Sequence, residues 1–243
     1  MATLILALKT YVGVSGFSYP SWRGNFYPVD AKPEEFLALY AAQLGSVEIN
    51  SSFYAPPSAA TVTGWSVRTP AKFRFSFKAP KQVTHILKLG EGAGLAAVRF
   101  AKNLDSLDQR RGPILFQLPP FMKRNDELLR AFLTETGKIK ERVFEFRHES
   151  WFEDETFRAL ERERAGFCVA ETEDMKPEFR LTSDLAYFRL RMDTYSKDEM
   201  PPWAKRITEL SKGATACYVY LRHDETGANA LLAETLAKRL SGL

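Results

Sequence analysis

Eight short strand-like runs, each set apart from the next by a helix-like or loop segment, leave this chain few ways to fold. The runs are Tyr11–Ser15, Ser46–Asn50, Phe73–Lys78, Pro113–Leu118, Arg142–Arg147, Gly166–Glu171, Leu185–Arg191 and Cys217–Arg222. Each is rich in aromatic or β-branched residues, and most follow Gly, Pro or a charged residue. Between them apolar residues recur at helical spacing. Pro33 suits a first helical turn, and Phe36, Leu37, Tyr40, Ala41 and Leu44 continue it as one stripe. Asn125-Asp126-Glu127 opens another helix in front of Leu128, Leu129 and Phe132, its acidic residues favoured near a helix N-terminus. Asp154–Arg162, Pro201–Leu210 and Ala228–Leu240 read the same way. The link Thr172–Asp184 shows no helical period and is expected to be a loop, an irregularity between strands six and seven. Alternating strands and helices imply a parallel sheet. Eight such units imply closure into a single TIM-type (β/α)8 barrel, an α/β fold occupying residues 1–243 as one domain, and the length of 243 residues fits it.

A hydrophobic share of 45% and a charged share of 26% are ordinary for a globular chain and argue against disorder. The net charge of +4 favours an anionic ligand only if the cations cluster. Cys168 and Cys217 sit in apolar strand-like runs without metal-ligand spacing and read as buried, reduced thiols. The N-terminal run Leu4-Ile5-Leu6-Ala7-Leu8 is too short to span a bilayer and lacks the flanks of a signal peptide. A cytoplasmic protein without membrane contact is the expectation.

Parallel strands covered on both faces usually read as unbroken apolar runs, but several here alternate. Val47 and Ile49 oppose Glu48 and Asn50; Phe73, Phe75 and Phe77 oppose Arg74, Ser76 and Lys78. Phe144 and Phe146 oppose Glu145 and Arg147; Phe188 and Leu190 oppose Tyr187, Arg189 and Arg191. A period of two puts each set on one face. The apolar set belongs under the helices, so the polar set is expected inside the barrel. Polarity also grows toward the strand C-termini, through Asn50, Lys78, Gln117, Arg147, His148 and the Arg222-His223-Asp224 run, and those ends form the active-site face of such barrels. A plainer reading makes the inward charges layer-filling ion pairs. It suits single residues better than the whole set, because burying many charges for packing alone is costly.

The motifs around these positions resemble a known family. Tyr11-Val-Gly-Val-Ser-Gly-Phe-Ser-Tyr19 with Trp22, Gly24 and Phe26-Tyr27-Pro28 is similar to the opening signature of the YecE-like family of unknown function. Glu48-Ile-Asn50 with Phe53-Tyr54, Pro57 and Trp65 resembles its second block, and Phe75-Ser-Phe-Lys78-Ala-Pro80 with Thr84-His85 its third. Pro113-Ile-Leu-Phe-Gln117-Leu-Pro119-Pro120 and Glu145-Phe-Arg147-His148-Glu-Ser-Trp151 follow in order, then Asp184-Leu-Ala-Tyr187-Phe-Arg189, Tyr195-Ser196 and Trp203-Ala204. The resemblance implies a TIM-barrel-like fold and brings no assigned reaction. The chain departs from the family pattern in two places. Arg189-Leu-Arg191-Met192-Asp193 stands where the family usually carries Arg-x-His-Gly, and Arg222-His223-Asp224 replaces an Asn-Asn-Asp.

The candidate site gathers Glu48, Asn50, Lys78, Gln117, Glu145, Arg147, His148 and Arg189. Glu48, Glu145 and His148 are the candidate acid/base groups, since carboxylates and an imidazole transfer protons when their environments separate their pKa values. Lys78, Arg147 and Arg189 would bind phosphate or carboxylate, with Asn50 and Gln117 as polar partners. Tyr19, Trp22 and Trp151 are the aromatic candidates for stacking on a ligand, within a dense aromatic set near the mouth. A divalent metal, for which His85, His148, Glu48, Glu145, His223 and Asp224 are the possible ligands, is not favoured, and any cofactor is left open: the spacing shows no metal motif and neighbouring cations oppose a dication. Gly90-Glu-Gly-Ala-Gly94 lacks the Lys and Ser/Thr of a phosphate loop and reads as a connector.

Two function classes follow. The first is an enzyme, isomerase-like or hydrolase-like, using acid/base chemistry on a phosphorylated or other anionic small molecule at the C-terminal face of the barrel. The second is a nucleic-acid protein, either a phosphodiester-cleaving enzyme or a non-catalytic single-strand binder. That second class needs an exposed basic stripe, for which Arg110-Arg111, Lys123-Arg124 and Lys138–Arg142 are candidates. Two of these runs precede strands, at the end away from the mouth, so the small-ligand enzyme is the preferred expectation.

Overall fold

The computed structural model describes residues 8–241, so all of the N-terminal apolar run except Leu8 lies outside it. Eight strands, β1 (Lys9–Val14), β2 (Ser46–Ile49), β3 (Arg74–Lys78), β4 (Arg111–Gln117), β5 (Arg142–Glu145), β6 (Gly166–Glu171), β7 (Leu185–Leu190) and β8 (Ala216–Leu221), form one sheet. Its order is β1-β8-β7-β6-β5-β4-β3-β2, and every ladder is parallel. Seven helices cover it among the described residues: α1 (Phe36–Gln43), α2 (Ala59–Val67), α3 (Ala93–Asn103), α4 (Asp126–Glu135), α5 (Asp154–Arg162), α6 (Met200–Leu210) and α7 (Ala228–Ser241).

The seam between β1 and β2 closes the barrel by means other than a ladder. The Gly16 amide donates to the Glu48 carbonyl at 2.9 Å, and Ser15 bridges Glu48. Lower down, the buried Tyr40 hydroxyl accepts from the Val14 amide and donates to the Ser46 carbonyl, both at 2.9 Å. One helix side chain thus satisfies two backbone groups that would otherwise be buried unpaired. The strands approach so closely that a Cβ on Gly13 would lie 1.8 Å from the Ser46 oxygen, which only glycine allows.

Period-two alternation sorts the side chains as the sequence suggests. Val47, Phe75, Phe77, Phe116, Phe144, Phe146 and Phe188 face the helices in one continuous apolar layer, where each buried ring or branched chain contributes about 2 kcal/mol. The barrel interior is a separate cluster built from Leu115, Val143, Cys168, Ala170, Leu185 and the tyrosines Tyr187, Tyr218 and Tyr220. Two of the tyrosine hydroxyls find partners: Tyr187 donates to Glu48, and Tyr220 bonds to Ser46 Oγ and, at 2.7 Å, to Ser76 Oγ. Cys168 and Cys217 are both buried and free.

Helix ends follow local chemistry. Asn125 caps α4 by accepting from the Leu128 amide at 2.9 Å, and Ser58 caps α2 by accepting from Thr61 at 3.1 Å. The Gly90–Gly94 run is a connector only as far as Gly92, whose φ is 78°; Ala93 and Gly94 already belong to α3. Between β6 and β7 there is no helix. Thr172 and Met175 exchange backbone hydrogen bonds at 3.2 and 3.3 Å, making a tight hairpin that turns over the mouth of the barrel. Among the described residues, no helix is long and apolar enough to cross a membrane.

Candidate active site

The strand C-termini surround a cavity of about 540 Å³. Its floor is a buried ion triplet. Arg189, from β7, donates Nη2–H to Glu48 Oε1 at 2.8 Å and Nη1–H to Glu145 Oε2 at 2.5 Å. All three side chains are at most 3% exposed. The carboxylates are held from the other side as well: Tyr187 donates to Glu48 at 2.8 Å, and Gln117 donates to Glu145 at 2.7 Å. Burial raises the proton affinity of Glu48 and Glu145, but the Arg189 charge and these hydrogen bonds outweigh it. Both carboxyls stay below their usual range and are ionised at neutral pH. Glu48 and Glu145, expected as proton-transfer groups, are therefore poor acids and weak bases where they stand. Arg189, expected to bind an anion, already has its charge spent on them.

The hydrogen-bond chain continues to the cavity wall. Lys78 donates Nζ–H to the Gln117 amide oxygen at 2.7 Å, and its Nζ sits over the Phe53 ring at 4.2 Å. No carboxylate among the described residues pairs with it. Burial first, and the nearby Arg189 charge second, push the Lys78 ammonium down to about 8. Arg191, two residues beyond Arg189 on the same inward face, donates to Ser15 Oγ at 2.6 Å and likewise has no carboxylate partner among the described residues. Burial and the neighbouring Arg189 push it down to about 10. Arg147 completes the cationic wall, 3.9 Å from Glu145. Asn50 borders the same cavity, and its Oδ1 is buried without a hydrogen-bond partner. The acidic counterweight at the rim is Glu173 and Asp174, carried in by the β6–β7 hairpin.

Four expected site residues lie elsewhere. Trp22 and Trp151 are fully buried and fasten loops to the barrel: their indole N–H groups donate to the Asp224 carbonyl at 2.8 Å and to the Met122 carbonyl at 2.7 Å. Tyr19 donates to the Ser15 carbonyl at 2.9 Å and stacks on the His223 ring, 4.8 Å away and nearly parallel. It supports the site from behind. His148 turns outward, bonded through Nδ1 to the Ser150 hydroxyl and amide, in a neighbouring cleft with Pro120 and Met175. The imidazole that does line the cavity is His223, which burial and the charges of Arg191 and Arg222 hold below its usual pKa, hence neutral at pH 7. His85 packs edge-on against Phe53 and bonds to Thr84 at 2.9 Å.

Arg191 was legible as the next inward residue after Arg189, while Thr172, Glu173 and Asp174 reach the mouth through an irregular loop that no periodicity marks. Asp224, considered as a metal ligand, spends its carboxylate on the amides of Thr226, Ala228 and Asn229, which starts α7. Among the described residues no three His, Cys, Asp or Glu side chains converge in a way that would hold a metal ion.

With this geometry in place, the similarities to known proteins are informative. The profile of the family described as "Protein of unknown function DUF72" matches residues 11–242. The UPF0759 protein YunF of Bacillus subtilis is 27% identical over 157 residues, covering 58% of this chain and 52% of that protein. The UPF0759 protein YecE of Escherichia coli is 30% identical over 110 residues, covering 45% of this chain and 37% of that protein. The chain thus spans about half or less of the length of these curated relatives. Among solved structures, a DUF72 family protein from Thermotoga maritima superposes with a TM-score of 0.82 at 28% identity, covering 96% of this chain and 99% of the other. D-Psicose 3-epimerase from Clostridium cellulolyticum has a TM-score of 0.55 at 8% identity over 97% of each chain, a likeness of fold alone.

Proposed function

The chain belongs to the DUF72 family, whose function is unknown, and from the chemistry of its mouth we propose that it is an enzyme acting on a phosphorylated or otherwise anionic small molecule by acid/base chemistry. One observation carries this reading. Arg191 and Lys78 line one cavity, each desolvated, and each hydrogen-bonded only to a neutral side chain. Cations withdrawn from water without a counter-ion are costly, and a bound anion removes the cost. Arg147 adds a third cation. Lys78 and His223 take the proton-transfer roles inside the cavity, in place of Glu48 and Glu145, which Arg189 keeps ionised, and of His148, which lies outside it. The Glu48–Arg189–Glu145 triplet serves as the rigid base that positions Gln117 and, through it, Lys78.

The nucleic-acid alternative draws less support, because an arginine in each basic run is engaged locally. Arg111 pairs with Asp105 at 2.9 Å, Arg124 with Asp126 at 2.6 Å, and Arg142 is buried on the carbonyls of Leu133 and Glu163. The test is a thermal-shift series with inorganic phosphate, sugar phosphates and nucleotides. A ligand at a hundred times its Kd adds about 2.7 kcal/mol of stability, which for a chain of this size raises Tm by roughly 5–10 °C. The shift is expected in the wild type and lost in Arg191→Met. Absence of any shift, or an undiminished one in the variant, overturns the reading.

A further inference from the structure

We infer that Lys78 is a covalent catalytic residue: its amine adds to the carbonyl carbon of an anionic aldehyde or ketone, and the substrate class of the mouth is a phosphorylated or carboxylated carbonyl compound. The inference rests on the proposed anion site and goes a step beyond it.

Besides contributing its charge to the anion site, Lys78 has the placement that a nucleophilic lysine requires. Recognition of phosphate or carboxylate by geometry is the task of a guanidinium fork, and the mouth already supplies it through Arg147 and Arg191. Lys78 is instead kept from becoming half of an ion pair. The carboxylate it would otherwise meet is Glu145, and the Gln117 carboxamide stands between them, giving its N–H to Glu145 at 2.7 Å and its oxygen to Lys78 at 2.7 Å. Because the NH₂ end is committed to the carboxylate, the amide cannot turn round, so Lys78 always meets a neutral acceptor. The Phe53 face lies under Nζ at 4.2 Å, and Arg189 and Arg191 repel a second positive charge. Desolvation beside other cations is how a lysine amine is made available for imine chemistry.

The consequence is quantitative. With a pKa of about 8, roughly a quarter of Lys78 is neutral amine at pH 7.5, against roughly one in a thousand for an ordinary lysine. The step balances without oxidant or reductant. The Nζ lone pair forms the C–N bond as the carbonyl π pair moves to oxygen, which takes up one of the two protons of the new ammonium. The nitrogen then gives up its proton and expels the hydroxyl as water, leaving C=N. His223, on the cavity wall, and water entering through the mouth return the proton shed by nitrogen to the departing oxygen. An anionic group on the substrate falls to Arg147 and Arg191.

The test uses the whole chain with glyceraldehyde 3-phosphate as probe, borohydride to reduce any imine, and peptide mass spectrometry to locate the adduct. Uncharged glyceraldehyde is the control. The expected result is a reduced adduct at Lys78 formed about a hundredfold faster than at surface lysines near pH 7.5, with a pH midpoint near 8. Inorganic phosphate should slow it, and glyceraldehyde should label Lys78 less. Lys78→Arg should lose that adduct, and circular dichroism with ligand-free thermal unfolding shows that the variant is folded. A phosphate-dependent shift in the wild type with no preference for Lys78 overturns the covalent role and leaves the anion site standing. Labelling of Lys78 no faster than of surface lysines does the same. If neither shift nor adduct forms, both readings fall.

Discussion

Replacing Lys78 by methionine should make the protein more stable at neutral pH. The ammonium is held in a place that disfavours it: moving its pKa from the ordinary 10.5 to about 8, at about 1.4 kcal/mol per pH unit, corresponds to about 3 kcal/mol at neutral pH. Partial exposure to the cavity reduces that figure, and the variant forfeits the bond to Gln117 and the contact of the ammonium with Phe53, together about 1 kcal/mol. Methionine fills a similar volume and keeps a favourable contact with the ring. The net gain is about 1–2 kcal/mol, or roughly 4 °C in Tm for a chain of this length. The pH dependence has a definite sign. Between about 8 and 10.5 the unfolded wild type holds a proton on Lys78 that the folded form has released, so wild-type stability rises with pH across that interval. The advantage of Lys78→Met is therefore full below pH 8 and fades toward 10.5. Urea unfolding at several pH values from 7 to 10.5 measures it. A variant less stable than wild type at pH 7, or a difference that does not change across the interval, refutes the premise that Lys78 is strained by desolvation. Stability gained where function is lost marks a site built for chemistry rather than for folding.

The triplet in the floor behaves in the opposite way. Glu48→Gln and Glu145→Gln each leave buried Arg189 with one charge partner, and chemical denaturation should show losses of about 3–5 kcal/mol. Acid unfolding should likewise set in as pH falls through the depressed pKa values of these carboxyls, below the ordinary carboxylate range, because their contribution is complete above it. Glu141 has its carboxyl raised by burial to about 7, so stability at this position falls as pH rises from about 4.5 to 7. Glu141→Gln should match wild type near pH 4 and exceed it above pH 7, as read by Tm across that range. At the seam, Gly13→Ala drives a methyl group into the Ser46 carbonyl and should cost about 3 kcal/mol or more, while Tyr40→Phe unpairs the Val14 amide and Ser46 carbonyl at about 2 kcal/mol or more. Equilibrium unfolding of both variants checks that pair.

The barrel was legible because its strands are short and its two faces differ. Phe73-Arg-Phe-Ser-Phe-Lys78 and Arg142-Val-Phe-Glu-Phe-Arg147 announce their inward and outward sets by period alone, and the helix-free link at Thr172–Asp184 is visible as missing periodicity. Strand alternation also brought Glu48, Asn50, Lys78, Gln117, Glu145, Arg147 and Arg189 to one end. What period cannot carry is pairing. That Arg189 lies between two carboxylates, and that Gln117 separates Lys78 from Glu145, depends on strands distant in sequence meeting across the barrel. Aromatic density near the mouth was equally ambiguous. Trp22 and Trp151 are loop anchors, whereas Phe53 lies under the Lys78 ammonium; composition does not distinguish a ring that seals a loop from one that faces a ligand. His148 lies outside the cavity for a geometric reason. It follows the inward Arg147 and so points off the barrel axis, where it starts the turn Glu149–Trp151.

The most direct test of the account is the location of an anion. Crystals soaked with tungstate, a phosphate-shaped ion with strong anomalous scattering, report the preferred anion position without a known substrate. The dominant anomalous peak is expected inside the mouth, within hydrogen-bond reach of Arg191 and Lys78 and close to Arg147, with Arg189 still bound to Glu48 and Glu145. A dominant peak at the opposite end of the barrel, or on the outer basic runs around Arg110 and Lys138, would contradict it.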